Sequence, residues 1–209
     1  DAGDVVFEAG QFSIAGTDRR IGIKDVAKLS YTLRDPSLGG QFGFSEKTIA
    51  APKAATFPNG CHVCEVEIDP DTGVCEILNY VVVDDVGRVV NPALVKGQVH
   101  GGVVQGVGQI LFEDIRYDED GQLLTGSFMD YAMPRAAHFP PFVCKANEVP
   151  TPMNPLGVKG AGEAGTVGAL AAAVNAIVDA LSPYGIDHID MPATPERIWR
   201  TIQDAQSAR

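Results

Sequence analysis

The residues best suited to chemistry lie in one stretch, Asn154-Pro155-Leu156-Gly157-Val158-Lys159-Gly160-Ala161-Gly162-Glu163-Ala164-Gly165-Thr166. Glu163 stands there among glycines, where a loop ends and an Ala/Val-rich helix is predicted to begin. A helix start carries free N–H groups and positive potential, so the carboxylate is expected to stay ionised unless burial opposes it. Flanking glycines let a bulky group approach the backbone. A lone carboxylate presented in this way suits general-base work. Cys61-His62-Val63-Cys64 has the spacing of a metal or redox pair, but it sits in an alternating run. As a strand, that run places His62, Cys64, Val66 and Ile68 on one face and Cys61, Val63, Glu65 and Glu67 on the other, which parts the two thiols.

The second candidate surface is a helix predicted over 91–114, with Asn91 as N-cap and Pro92 in its first turn. Val95, Val99, Val103 and Val107 form an apolar stripe. Gln98, Gly102, Gln105 and Gln109 form a neighbouring stripe, small or amide-bearing. Each interior glycine costs about 0.8–1.0 kcal/mol against alanine, so Gly97, Gly101, Gly102, Gly106 and Gly108 need a compensating reason. Close helix packing is one reason. A ligand face is the other, because a buried glutamine suits an amide-rich heterocycle such as a pterin. His100 has no second ligand three or four residues away and reads as a satisfied structural histidine.

Other elements must hold these two surfaces. The chain opens with a hairpin around Gly10 and a short helix over 23–31, followed by a long irregular connection over 33–60. Runs 61–69 and 74–84 read as strands joined by the turn Pro70-Asp71-Thr72-Gly73. The second is apolar on both faces, as in a central, covered strand. A further hairpin is predicted from Ile115–Tyr117 and Gln122–Thr125 around Asp118-Glu119-Asp120-Gly121. Thr166–Leu181 reads as a helix apolar nearly all round and therefore buried, and Thr194-Pro195 starts a last helix carrying Trp199. The fold class is α+β, with 1–55 as an N-terminal segment and 56–209 as the main subdomain.

The 209 residues carry a formal net charge of −11, which argues against nucleic acid and anionic membrane surfaces. No apolar run is expected to span a membrane, and no signal peptide is read. Four cysteines are too few for a disulfide scaffold, so a reducing cytoplasm is the expectation. A chain starting at Asp1 and not Met is expected to be a processed chain or a piece of a longer polypeptide.

Taken in order, the glutamine–glycine helix, Ser127-Phe128-Met129-Asp130-Tyr131 and the glycine loop with Glu163 resemble the C-terminal part of the molybdenum-binding large subunit of the xanthine dehydrogenase family. The aerobic carbon monoxide dehydrogenase and aldehyde dehydrogenase branch is the nearest resemblance. It implies hairpins packed with buried helices, and a molybdopterin cytosine dinucleotide bearing molybdenum. Gln98 would hydrogen-bond the pterin, and Gly160, Ala161 and Gly162 would pass close to the cofactor. Glu163 would stand beside the metal as base toward a molybdenum-bound hydroxide that attacks an electrophilic carbon while hydride leaves to a sulfido ligand. Partners would be the rest of the large subunit and iron–sulfur (2Fe-2S) and flavin (FAD) subunits, with a small-molecule substrate. None of the four cysteines matches the copper-binding cysteine of the carbon monoxide branch.

Two other readings stand beside it. The isolated chain could be a non-catalytic assembly domain. Gly160-Ala161-Gly162-Glu163-Ala164-Gly165 also matches the dinucleotide fingerprint GxGxxG, with Asp187 about twenty residues on, but that motif must follow a buried strand, and the preceding residues make a poor one.

Overall fold

The computed structural model describes residues 2–32, 43–44, 47, 49–52 and 54–207. Most of the irregular connection expected over 33–60 therefore lies outside the described residues up to Lys47, with two gaps beyond it. The chain divides into two compact units, Asp1–Ala51 and Pro52–Arg209. In the first, the hairpin of β1 (Val5–Glu8) and β2 (Gln11–Ile14) forms around Gly10 as expected. A third antiparallel strand, β3 (Arg20–Gly22), joins it and leads into α1 (Ile23–Thr32), none of whose residues is buried.

The second unit is a two-layer arrangement of one sheet on helices. Strands β4 (Asn59–Ile68) and β5 (Cys75–Asp85) pair antiparallel. β6 (Val143–Ala146), which the sequence reading did not foresee, lies parallel to β5 and makes β5 central. A bulge opposite Glu65 and Val66 lets Leu78 and Asn79 both face outward and restores the inward alternation of Ile77, Tyr80, Val82 and Asp84. The expectation that β5 is covered on both faces is overturned: Leu78 and Val83 are exposed on the outer face. The run is apolar on both sides, but the described helices of this unit pack on only one of them.

Helix α2 (Pro92–Leu111) starts as predicted, the Leu94 N–H donating to Asn91 Oδ1 at 3.1 Å. It ends three residues earlier than expected, where the Phe112 and Glu113 N–H groups both donate to the Gly108 carbonyl. The hairpin over 115–125 reduces to a single bridge, Tyr117 to Leu123, because Asp118 Oδ1 takes the Asp120 and Gln122 N–H groups into a side-chain-closed turn.

Helix α3 (Ala164–Leu181) is not buried all round. Gly165, Ala169, Ala173, Ile177 and Leu181 form its buried stripe, while Val167 is 65% exposed. Small apolar residues make every face of this helix look interior, yet only that stripe is fully buried, with Leu170, Val174 and Val178 partly buried against the core. The segment Ala164–Tyr184 is also long and apolar enough, by length and composition, to cross a membrane, contrary to the expectation that no run would be. Here it packs along α2 and β4. Val99, Val103 and Val107 on α2 complete the core with Ile198 and Ile202 of α4 (Pro195–Ser207).

Candidate cofactor and catalytic site

The α2–α3 crossing brings the two predicted surfaces together. A methyl group on Gly102 would lie 2.8 Å from the Thr166 nitrogen, and one on Gly106 would lie 2.8 Å from Ala169 Cβ. Gly165 is pressed in turn against the Val99 carbonyl. Two of the five glycines, Gly102 and Gly106, are therefore explained by helix packing. Gly97 and Gly101 are different, since nothing stands within 4 Å of a methyl group on either. At about 100° per residue they share one arc of the helix surface with Gln98 and Gln105. Both glutamines reach toward the start of α3. Gln98 Nε2 donates to the Gly162 carbonyl at 2.6 Å, and the Thr166 hydroxyl donates to Gln105 Oε1 at 3.3 Å.

Gly160, Ala161 and Gly162 run along this edge. A methyl group on Gly162 would meet nothing, and one on Gly160 only the Thr56 carbonyl at 3.9 Å. Glu163 is the N-cap residue of α3 by backbone position. Its carbonyl accepts from the Val167 N–H, but its carboxylate makes no capping hydrogen bond and is exposed. The side chain is thus not consumed by the helix it precedes. It lines a groove of about 500 Å³ whose other wall is Phe57, Asn59, Gly60 and His62.

A clamp missed in the sequence reading holds this loop. Lys159 Nζ contacts Asp85 Oδ2 at 2.5 Å, and both side chains are largely buried. Asp85 Oδ1 also accepts from the N–H groups of Gly87 and Val149, at 2.8 and 3.1 Å. These bonds, led by that of the Lys159 ammonium, bring the Asp85 pKa down to about 2. The Asn154 side chain pairs with both backbone groups of Val158, closing a turn at Gly157 with φ +69°. A methyl group on Gly87, φ +67°, would collide with the Gly157 carbonyl, so β5's exit and the loop meet through bare backbone. The signal for the clamp was Asp84-Asp85 closing an apolar run. Asp84 faces inward with Tyr80 and Val82, and Asp85, on the opposite face, is buried as well, against Lys159.

Other expectations divide. Cys61 is exposed on the outer face and Cys64 faces inward, as the alternation required. Burial pushes the Cys64 and Cys75 thiols up to about 11 and about 12. His100 is not a satisfied histidine. Its Nε2 is buried without a hydrogen-bond partner, because the ring stands edge-on to Phe142, centroids 5.2 Å apart. Burial, then the Lys96 charge, lowers its pKa. No strand leads directly into Gly160, only the single bridge Gly87–Val158, so the buried strand required by a dinucleotide fingerprint is missing there. Among the described residues no group of three or more His, Cys, Asp or Glu side chains could hold a metal ion.

The chain's residues 1–140 match the family model of the molybdopterin cofactor-binding domain. The chain belongs to this family. It is 42% identical over 203 residues to the large subunit of nicotine 6-hydroxylase from Paenarthrobacter nicotinovorans, covering 96% of this chain and 25% of that protein. Its fold is similar to CO dehydrogenase from Oligotropha carboxidovorans, with a TM-score of 0.88, 32% identity, and coverage of 100% of this chain and 26% of that one. Quinoline 2-oxidoreductase from Pseudomonas putida 86 gives 0.83, 34%, 98% and 26%. The chain spans about a quarter of the length of these relatives. It corresponds to a cofactor-binding segment of such large subunits.

The arrangement fits such a cofactor on its own terms. Gly97 and Gly101 leave open helix backbone for a flat ring system, and the amides of Gln98 and Gln105 border it.

Proposed function

We propose that this chain forms one wall of the molybdopterin site of a hydroxylase that oxidises a small molecule, with Glu163 as general base. Gln98 hydrogen-bonds the pterin, and the backbone of Gly160, Ala161 and Gly162 passes close to it. When bound, molybdenum–molybdopterin supplies two-electron oxidation of a carbon centre with oxygen drawn from water. The part played by Glu163 is to take a proton in that reaction, which requires an ionised carboxylate within hydrogen-bond reach. One observation carries the reading: the Gln98 amide is tied at 2.6 Å to the carbonyl of the residue before Glu163, so the ligand face and the carboxylate form one edge.

The cofactor form in this reading is the cytosine dinucleotide, and 2Fe-2S and FAD partner subunits take the electrons. Electrophilic N-heterocycle carbon is the favoured substrate class, supported by higher identity to a nicotine hydroxylase, 42%, than to CO dehydrogenase, 32%. The isolated chain, holding one wall of the site, is inactive.

The test is Glu163→Gln in the complete enzyme. Turnover is expected to fall by at least about a hundredfold while molybdenum and pterin content stay at wild-type levels. Wild-type turnover in that variant refutes the assignment.

A further inference from the structure

Under the groove lies a group of buried polar side chains that base catalysis by Glu163 does not use. His62 on β4 faces Asp84 on β5, Nε2 to Oδ1 3.4 Å, with side chains only 4% and 7% exposed. Behind them the Tyr80 hydroxyl lies 2.9 Å from His62 Nδ1. Burial raises the Tyr80 pKa, so the hydroxyl keeps its proton; it pairs with His62 Nδ1 in the direction the imidazole tautomer sets, and Nε2 is the ring nitrogen turned toward Asp84. His62 Nε2 and Asp84 Oδ2 make no hydrogen bond of good geometry.

Two glycines leave room for the pair. A methyl group on Gly60 would collide with Asp84, and one on Gly168 would stand 2.6 Å from three atoms of the His62 ring. Gly168 lies in the second turn of α3, so this turn rests directly on the imidazole. Apolar side chains at both positions 62 and 84 would fill the same space without desolvating a histidine and an aspartate. The costlier choice stands where the sheet meets the helix that begins at Glu163.

We propose that His62, oriented by Tyr80 and Asp84, is a positioning residue: it sets the height of the first two turns of α3 above the sheet, and so the place of Glu163 in the groove. This rests on Glu163 being the base. The carboxylate makes no capping bond of its own. Its position follows from the helix backbone, the Gln98 tie and this ring.

The test compares His62→Ala with His62→Gln in the complete enzyme. Alanine removes the support, whereas glutamine keeps a donor for Asp84. In His62→Ala, kcat per molybdenum is expected to fall roughly ten- to a hundredfold, as about an ångström of misplacement does, with KM within about twofold. His62→Gln should recover most of kcat. Amide exchange in His62→Ala should quicken at residues 164–168 and stay unchanged in α2. Full kcat in His62→Ala overturns the proposal, even if the melting temperature falls, and so does a His62→Gln enzyme no better than His62→Ala. Where His62→Ala does not fold, Gly168→Ala displaces the ring with His62 intact. A folded Gly168→Ala enzyme with wild-type kcat overturns the proposal equally. Glu163→Gln run in parallel separates the two claims: retained turnover there ends base catalysis, while the exchange data still report whether His62 sets the helix start.

Discussion

On one side of α2, Gly102 and Gly106 touch α3 so closely that a single methyl group would strike backbone or Cβ atoms at 2.8 Å. On another, Gly97 and Gly101 face open space. All four are mid-helix glycines, and each carries the same intrinsic cost of about 1 kcal/mol. At the crossing that cost is offset within this chain, by two helices packed backbone to backbone. At the open arc none of the described residues offsets it, and glycine there fits the cofactor face proposed above. The contrast separates residues kept for folding from residues kept for a ligand.

Substitution can break that contrast. Gly165→Ala at the crossing should destabilise the complete subunit by about 1–3 kcal/mol, because the new methyl group meets the Val99 carbonyl and no flexible side chain can yield. Chemical denaturation would measure it, and an unchanged midpoint would mean that the crossing is looser than drawn.

The Lys159–Asp85 clamp belongs with the folding set, and acid should reveal it. The folded Asp85 pKa, about 2, lies below its unfolded value near 3.9. Its stabilising contribution is therefore complete above about pH 4 and is lost as pH falls through about 2. Asp85→Asn should lower the melting temperature at neutral pH and flatten the decline between pH 4 and 2. Parallel wild-type and variant melting curves across that window would discount the clamp.

Gly101→Ala carries the smallest expected effect on stability. It should stabilise the protein by about 0.5–1 kcal/mol, since no atom opposes the methyl group. The same variant should lose molybdopterin on purification, read by pterin fluorescence after cofactor release. Full occupancy there would show that the open arc is not a ligand face and would collapse the distinction between the two glycine sets.

Much of the fold was visible before any coordinates. Alternation placed His62 and Cys64 together on the face of β4 opposite Cys61, and Asn91-Pro92 marked the start of α2, because both signals are local. β6 escaped because a four-residue parallel strand is defined by its distant partner in β5 and not by its own pattern. The misjudged burial of α3 has a similar cause: alanine-rich surface looks interior on every side, and only packing selects the face that is. At the site, Glu163 and Gln98 stood out by residue type against glycine. Lys159, Asp85 and His62 did not, since a charge or imidazole gains meaning only from its partner, 74 residues away for Lys159 and Asp85.

The amino-acid order by itself determined the helix and strand periods, the turns and caps, and the presence of one carboxylate among glycines at a helix start. Those properties depend on neighbours within a few residues. The tertiary structure alone decided which glycines are filled and which are open, that Gln98 reaches the carbonyl beside Glu163, and that a buried histidine lies under the helix that presents it. Each of these depends on the approach of two segments far apart in the chain, and such distances are set by packing rather than by local preference.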